Sequence, residues 1–139
     1  AFGNIVRGMH HWGASLVIVM MLLHTLRVFF TGAYKAPREM NWVVGMLIFF
    51  VMLGLGFTGY LLPWDNKAYF ATKVGIQIAA SVPFIGGYIQ EFLQGGDVVG
   101  AQTLTRFFAL HVFFLPAGLL ALLGAHFLMI RRQGISGPL

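Results

Sequence analysis

The sequence predicts an all-α integral membrane protein, a helical bundle with three spanning helices. Of its 139 residues, 58% are hydrophobic and only 9% are charged, and the mean hydropathy is +0.81. A soluble domain of this size would carry far more charge on its surface. The apolar stretches are continuous rather than alternating, which favours helices, since a helix satisfies its own backbone hydrogen bonds in lipid.

Three apolar stretches set the predicted spans, which cover residues 7–30, 41–62 and 103–130. Each is long enough to cross about 30 Å of hydrocarbon at about 1.5 Å per residue. The segment between the second and third spans mixes charged with apolar side chains and contains several glycines. We therefore predict two short amphipathic helices there, over 66–80 and 83–93, lying along the membrane surface.

The chain ends and the composition add further expectations. The first six residues are expected to form an interfacial lead-in, and Pro116 is expected to kink the third span. Because the sequence begins at Ala1 without an initiator methionine, we expect a processed or truncated product, or one piece of a split protein. The absence of cysteine excludes internal disulfides, cysteine-ligated iron–sulfur clusters and covalent c-type haem attachment within this chain.

The basic residues predict the orientation in the membrane. The formal net charge is +5, but lysines and arginines lie at the ends of apolar stretches, where they anchor to headgroups, so no nucleic-acid partner is expected. One membrane side carries Arg27, Lys35, Arg38, Arg131 and Arg132. That side is predicted to be cytoplasmic by the positive-inside rule, which places the amphipathic segment outside.

Four histidines lie within the first and third spans. His10 and His24 are 14 residues apart, and His111 and His126 are 15 residues apart. At about 100° per residue each pair returns to roughly one helix face, about 21–22 Å apart along the axis. A single histidine in an apolar helix is usually a core residue, but two matching pairs suit two bis-histidine b-type haems. His11 is rotated by about 100° from its neighbour and is not predicted to be a ligand.

Two glycines of the second span repeat the first histidine spacing. Gly45 and Gly59 are 14 residues apart, and a glycine lets another group approach the backbone closely. That group is either a flat porphyrin face, the interpretation we favour, or a neighbouring helix packed against small residues. Gly54 and Gly56 fit helix packing well.

Several stretches resemble the cytochrome b family of bc-type complexes: RGMHHWGAS, HTLR, GYLLPWD, TLTRFFALH and HFLMIRRQGISGPL. They are most similar to the split form, in which the haem-binding half is its own subunit, as in photosynthetic electron transport and in menaquinol-oxidising complexes of Gram-positive bacteria. The stretch LPWDNKAYFATKVG resembles the menaquinol branch. The resemblance covers nearly all of the chain and implies a single di-haem transmembrane domain over residues 1–139.

The resemblance also implies roles for individual residues. His10 and His111 would bind the lower-potential haem near the outer face, and His24 and His126 the higher-potential haem near the cytoplasmic face. Arginines that resemble partners of haem propionates are Arg7, Arg27 and Arg106. Without the resemblance, each would be interpreted as an interfacial anchor. The glycines that match those flanking the haems are Gly45 and Gly59. Residues that match one wall of the quinol-oxidation pocket are Tyr60, Pro63, Trp64, Tyr69 and Ala71.

The function implied is a relay that moves electrons from an outer quinol-oxidation site to an inner quinone-reduction site. Menaquinone is the favoured quinone, and the acceptor is a c-type cytochrome or a plastocyanin-type protein. The enzyme would be a multi-subunit quinol–cytochrome c reductase of the cell membrane, inactive as this chain alone. Its expected partners are a companion subunit with the C-terminal half of cytochrome b, a Rieske Fe–S protein, a c-type cytochrome, membrane lipid and a second copy of the complex.

One family feature is missing from the sequence, and two rival functions stay open. The resemblance implies that the family's first helix precedes this sequence, so three of the four helices of the haem-binding bundle are present. A further c-type haem, where a complex contains one, would be attached outside this chain. One rival is a di-haem membrane anchor of another respiratory dehydrogenase or reductase, which would lack the GYLLPWD turn. The other is a haem-free transporter or scaffold, which would lack the paired Soret and alpha-band spectrum expected of both cytochromes.

Overall fold

The computed structural model describes residues 2–137, and within that range it contains helices, turns and no strand. Three helices are long and apolar enough to cross a membrane, judged by length and composition. The α-helices are α1 Phe2–Phe30, α2 Glu39–Leu61, α3 Asn66–Ala80, α4 Gly86–Gln94, α5 Ala101–Ala109 and α6 Leu115–Gln133. A π-helix over Leu110–Phe114 joins α5 to α6, so that the third span runs over Ala101–Gln133. The predicted all-α membrane fold is confirmed.

The first span begins earlier than the sequence pattern predicts. Helix α1 already includes Phe2 and is 29 residues long, so the predicted start of this helix was wrong. The interfacial position of the first residues stays a prediction, and Ala1 lies outside the described residues. No proline interrupts this segment, and its apolar side chains Phe2, Ile5 and Val6 continue the helical pattern of the span. Helix α2 likewise starts two residues early, at Glu39, an acidic side chain that suits the positive end of a helix dipole.

The third span contains a local widening immediately before its proline. Pro116 has no N–H, so it cannot donate the usual bond to the carbonyl four residues earlier. The backbone N–H of Leu115 donates instead to the carbonyl of Leu110, five residues earlier. A π-turn of this kind is a common response to a disrupted helical ladder, and it reorients the side chains on it. His111 is one of the five residues in this turn.

The chain divides into two compact units, of which the first comprises residues 1–53 and 119–139. At the connection between α1 and α2, the ring of Tyr34 stacks on Phe29 at 5.9 Å and lies 5.5 Å from the ring of Trp42. The guanidinium of Arg38 donates to the carbonyls of Gly134 at 3.4 Å and Ile135 at 3.1 Å. These contacts hold the segment after α6 beside the start of α2.

The second unit, residues 54–118, has a small apolar core. Its buried residues are Leu61, Ala68, Ile76, Val99 and Phe107. The ring of Phe107 is fully buried and lies 5.4 Å from the ring of Phe57. The core therefore draws together the end of α2, helix α3 and the start of the third span.

Helices α3 and α4 occupy the positions of the two predicted amphipathic helices. Helix α3 has the predicted bounds and is capped by Asp65, whose side chain accepts a hydrogen bond from the backbone N–H of Ala68 at 2.8 Å. Helix α4 begins three residues later than predicted, because the residues from Pro83 form a turn in which Phe84 has a φ of +68°. A left-handed residue cannot continue into a helical turn, so α4 starts after it.

Candidate functional site

His111 is held by a backbone carbonyl of helix α2. Its ring is half-buried, and Nδ1 lies 2.9 Å from the carbonyl oxygen of Leu55. A carbonyl can only accept, so Nδ1 must carry the ring proton and donate it. Nε2 is then the ring nitrogen with the lone pair, which is the nitrogen that a metal would bind. The histidine is thereby set in the tautomer that an axial ligand requires.

Gly59 provides the space that this arrangement needs. A Cβ atom built on Gly59 would lie 2.5 Å from Cε1 of His111 and 3.0 Å from Nδ1. Gly59 is four residues after Leu55, so on a helix it lies directly above the carbonyl that accepts the imidazole proton. Any side chain at this position would push the ring away from that carbonyl. In this structure the group that approaches the glycine backbone is an imidazole.

Thr58 supplies a second oxygen beside the same ring nitrogen. Its side chain is 4% exposed, and Oγ1 lies 3.3 Å from Nδ1 of His111. The hydroxyl donates to the carbonyl of Gly54 at 2.8 Å. Its proton is therefore used, and its oxygen is left to accept from Nδ1–H.

His126 repeats the pattern beside the other glycine, with looser contacts. A Cβ atom on Gly45 would lie 3.5 Å from Cε1 of His126, an ordinary van der Waals distance. Nδ1 of His126 is buried and has no hydrogen bond of normal geometry. The backbone group facing this ring belongs to Asn41, four residues before Gly45, as Leu55 is four residues before Gly59. The register is the same at both glycines, and only the tightness differs.

The structure brings His24 and His126 to one cavity of the first unit. The cavity has a volume of about 640 Å³, within the range of cofactor sites. Gly45 lies in its wall, and so do Arg27 and Arg38. Paired imidazoles, a glycine without a side chain and two arginines are a set that fits a haem, with nitrogen ligands for iron and cations for its propionates.

The fourth predicted ligand, His10, and the predicted propionate partners Arg7 and Arg106 do not line this cavity. His10 and Arg7 lie on α1 in the first unit and are exposed. His10 belongs to a different unit from His111, and their predicted pairing stays a prediction. Arg106 donates from one guanidinium nitrogen to the carbonyls of Glu91, at 2.9 Å, and Phe92. The role of Arg106 toward a propionate also stays a prediction, beside this contact with the end of α4.

The predicted quinol-pocket residues lie at the turn after α2 and at the start of α3. Trp64 has a φ of +54° and is 43% exposed. Its ring meets the ring of Tyr69 edge to face, with centroids 6.2 Å apart. The side chains of Tyr60, Pro63 and Ala71 are exposed. The structure thus brings two of the three aromatic rings, those of Trp64 and Tyr69, together at an accessible surface, and the quinol pocket stays a prediction.

Three residues with evident positions in these sites were missed by the sequence analysis. Thr58 and Leu55 hold His111, and Arg38 lines the cavity of His24. The sequence contained a signal for Leu55 and Thr58, because a glycine exposes the backbone carbonyl four residues earlier on a helix. Leu55 is four residues before Gly59, and Thr58 directly precedes it. Arg38 gave no such signal, since its carbonyl partners are 96 and 97 residues away.

The fold and these sites define a helical membrane protein with histidines presented inside its spans. A family model described as Cytochrome b(N-terminal)/b6/petB matches residues 15–139, and the chain belongs to this family. The family resemblance of the sequence is thereby confirmed. Membership implies that the chain binds haem b and crosses the membrane several times.

The relatives are similar over the whole chain. It is 77% identical to the menaquinol:cytochrome c reductase cytochrome b subunit of Bacillus subtilis (strain 168) and 79% identical to that of Geobacillus thermodenitrificans, in both cases over 100% of this chain and 62% of the relative. It is 48% identical to cytochrome b6 of Prochlorococcus marinus (strain MIT 9515), over 100% of this chain and 64% of the relative. The chain therefore spans less than two thirds of the length of these relatives.

A solved structure shares the fold. A chain of the structure described as "Hyperthermophilic respiratory Complex III" matches with a TM-score of 0.88 and 36% identity. The match covers 99% of this chain and 38% of that chain. The fold of this chain therefore also occurs in a chain of a respiratory complex.

Proposed function

We propose that this chain is the di-haem part of the cytochrome b subunit of a menaquinol:cytochrome c reductase. The observation that carries the proposal is the cavity of the first unit, where His24 and His126 face one space beside Gly45. The names of the two bacterial relatives support the reaction. Neither the turn at Trp64 nor those names favours the rival anchor of another dehydrogenase.

In this function the protein's own residues bind, orient and shield two haem groups. His24 and His126 would hold one of them, and His10 and His111 the other. Bound haem would supply reversible one-electron chemistry, which no side chain of this chain offers. Gly45 and Gly59 leave room for the ligand rings, so the imidazoles reach their places without strain in α2.

The arginines would set the charge around each group. Arg27 lines the cavity of the first unit, where it can pair with an anionic propionate, and Arg7 and Arg106 would serve the other haem. Charge-assisted hydrogen bonds from guanidinium to carboxylate are strong and directional. They would fix the orientation of each macrocycle and influence its reduction potential.

The aromatic turn after α2 would form one wall of the quinol-oxidation pocket. Trp64 and Tyr69 offer flat apolar faces with polar edges, a surface suited to a quinol ring. Tyr60, Pro63 and Ala71 would complete this wall. The opposite wall would come from the companion subunit with the C-terminal half of cytochrome b.

The remaining partners follow from the same assignment. A Rieske Fe–S protein and a c-type cytochrome would take electrons at the outer face, and the whole would work as a dimeric complex in the cell membrane. The basic ends near Arg38 and Arg131 would face the cytoplasm. Any further c-type haem of the complex would be attached outside this chain, which contains no cysteine.

The test is a count of haem in the purified native complex. Pyridine haemochrome analysis should find two non-covalent b haems per copy of this chain, and redox titration should resolve two steps. His11→Ala is a matched control, because this histidine is exposed, contacts the ring of Trp12 and is next to a predicted ligand. The control should keep both haems. One haem per chain, or none, would overturn the proposal.

A further inference from the structure

We propose that Thr58 is a positioning residue for His111: its hydroxyl oxygen shares the Nδ1 proton with the Leu55 carbonyl and thereby sets how strongly this histidine binds iron. The inference rests on the proposed function, since it concerns a haem ligand. It adds a residue that the set of predicted ligands does not include. It also predicts which of the two haem sites is affected.

The direction of each hydrogen bond follows from the partners. The Leu55 carbonyl, 2.9 Å from Nδ1, can only accept, so Nδ1 is the donor. The Thr58 hydroxyl lies 2.8 Å from the carbonyl of Gly54, which also can only accept. Its proton is used there, and its lone pairs are available to Nδ1–H at 3.3 Å. One ring proton thus has two acceptors, and both lie on helix α2.

A threonine inside a helix often donates back to the carbonyl four residues earlier, which by itself explains the bond to Gly54. This general tendency of threonine does not explain why its Oγ1 atom also lies beside the ring of His111, 53 residues away in the sequence. Thr58 directly precedes Gly59, the position against which the ring of His111 packs. The residue that directly precedes Gly45 is Val44, which has no hydroxyl.

The consequence is a stronger ligand at His111. A ring proton drawn toward two oxygens gives the imidazole partial anionic character, which makes it a better donor to a metal. A better donor stabilises oxidised iron more than reduced iron, so it lowers the reduction potential. Thr58 should therefore hold the His111 haem at a lower potential than it would otherwise have.

The experiment compares three variants, each introduced into this chain within its native membrane complex. Thr58→Val keeps the shape and removes the oxygen, whereas Thr58→Ser keeps the oxygen. Thr72→Val is the matched control, because Thr72 is 1% exposed in the same unit and its hydroxyl has no hydrogen-bond partner. Haem content, redox titration and the electron paramagnetic resonance spectrum of the ferric haems are measured. A His126→Ala variant, which should retain the His111 step, identifies that step.

The expected result is a positive shift of the His111 step alone in Thr58→Val, with changed ferric resonance positions for that haem. Thr58→Ser should restore the wild-type potential, and Thr72→Val should not move it. If Thr58→Val loses the haem, restoration by Thr58→Ser still supports the inference, and failure of Thr58→Ser overturns it. An unchanged potential in Thr58→Val, or an equal shift of both steps, also overturns it. Wild-type complex without two b haems would instead refute the proposed function.

Discussion

The two glycine–histidine sites, one in each compact unit, share a register and differ in how firmly the ring is held. At Gly59 the ring of His111 lies so close that a Cβ atom would be 2.5 Å away, whereas at Gly45 the corresponding distance to His126 is 3.5 Å. Nδ1 of His111 has two oxygen neighbours, and Nδ1 of His126 has no hydrogen bond of normal geometry. The same register of glycine and preceding carbonyl thus occurs in one tight site and one loose site.

The difference has a functional meaning if both histidines bind haem. Hydrogen bonds to the ring nitrogen that does not face the metal fix a histidine ligand's tautomer and strengthen its donation to the metal. The tight site should therefore favour oxidised iron more than the loose site does. The family resemblance implies that His111 would serve the lower-potential haem, and this prediction has the same direction. The two sites can differ in potential although they use the same ligand type.

The largest expected effect is the loss of a whole redox step when a ligand is removed. His126→Ala and His24→Ala should abolish the same step, because both side chains line one cavity. His111→Ala should abolish the other step and leave the first intact. Each variant should retain about half of the haem, measured by pyridine haemochrome and redox titration. If His24→Ala and His126→Ala removed different steps, the assignment of the cavity would be wrong.

The next effect separates the two glycines. Gly59→Ala should displace the ring of His111, destabilise the complex by about 1–3 kcal/mol as overpacked cores do, and perturb one haem spectrum. Gly45→Ala should be tolerated, since its methyl group would make an ordinary contact. Gly54→Ala is a control on the same helix, where a Cβ atom would lie 3.6 Å from Leu115. Visible spectra and thermal unfolding measure the outcome, and equal effects at Gly45 and Gly59 would remove the contrast between the sites.

A smaller effect compares the two arginines that donate to backbone carbonyls. Arg106→Gln should loosen the end of α4 near Glu91, and Arg38→Gln should loosen the segment after Gly134. For exposed side chains we expect about 1 kcal/mol each, or roughly fivefold faster amide hydrogen exchange confined to the freed segment. Loss of a haem spectrum in Arg106→Gln with unchanged amide exchange at α4 would show that Arg106 acts mainly through a haem propionate and not through its hydrogen bonds to the end of α4.

The smallest effect concerns the anchoring of α3 in the second unit. Asp65→Ala removes the oxygen that accepts from the N–H of Ala68 and should cost about 1 kcal/mol. Asp65→Asn keeps a capping oxygen and serves as the control. Amide exchange at the first turn of α3 measures the change, which should not extend to the cavity residues near His126. Equal protection in Asp65→Ala and the wild type would mean that packing of Ala68 and Ile76 alone positions this helix.

Much of the fold was predictable because its signals are local. Continuous apolar stretches identify spanning helices wherever the rest of the chain lies, and the surface helix α3 has the predicted bounds. The start of α1 was misjudged because an interfacial segment and a helical turn share the same apolar residues. The π-turn before Pro116 was also missed, since proline predicts a disrupted ladder but not how the backbone rearranges.

The sequence by itself determined which residues are candidates: four histidines, two glycines at matching spacing and an aromatic turn, all readable from spacing and residue type. Only the tertiary structure decided which ring nitrogen of His111 carries the proton, that Thr58 lies beside it, and that Gly59 is packed more closely than Gly45. The reason is physical. Helical periodicity repeats along one segment, whereas hydrogen bonds to His111 join residues more than 50 positions apart and depend on how helices pack.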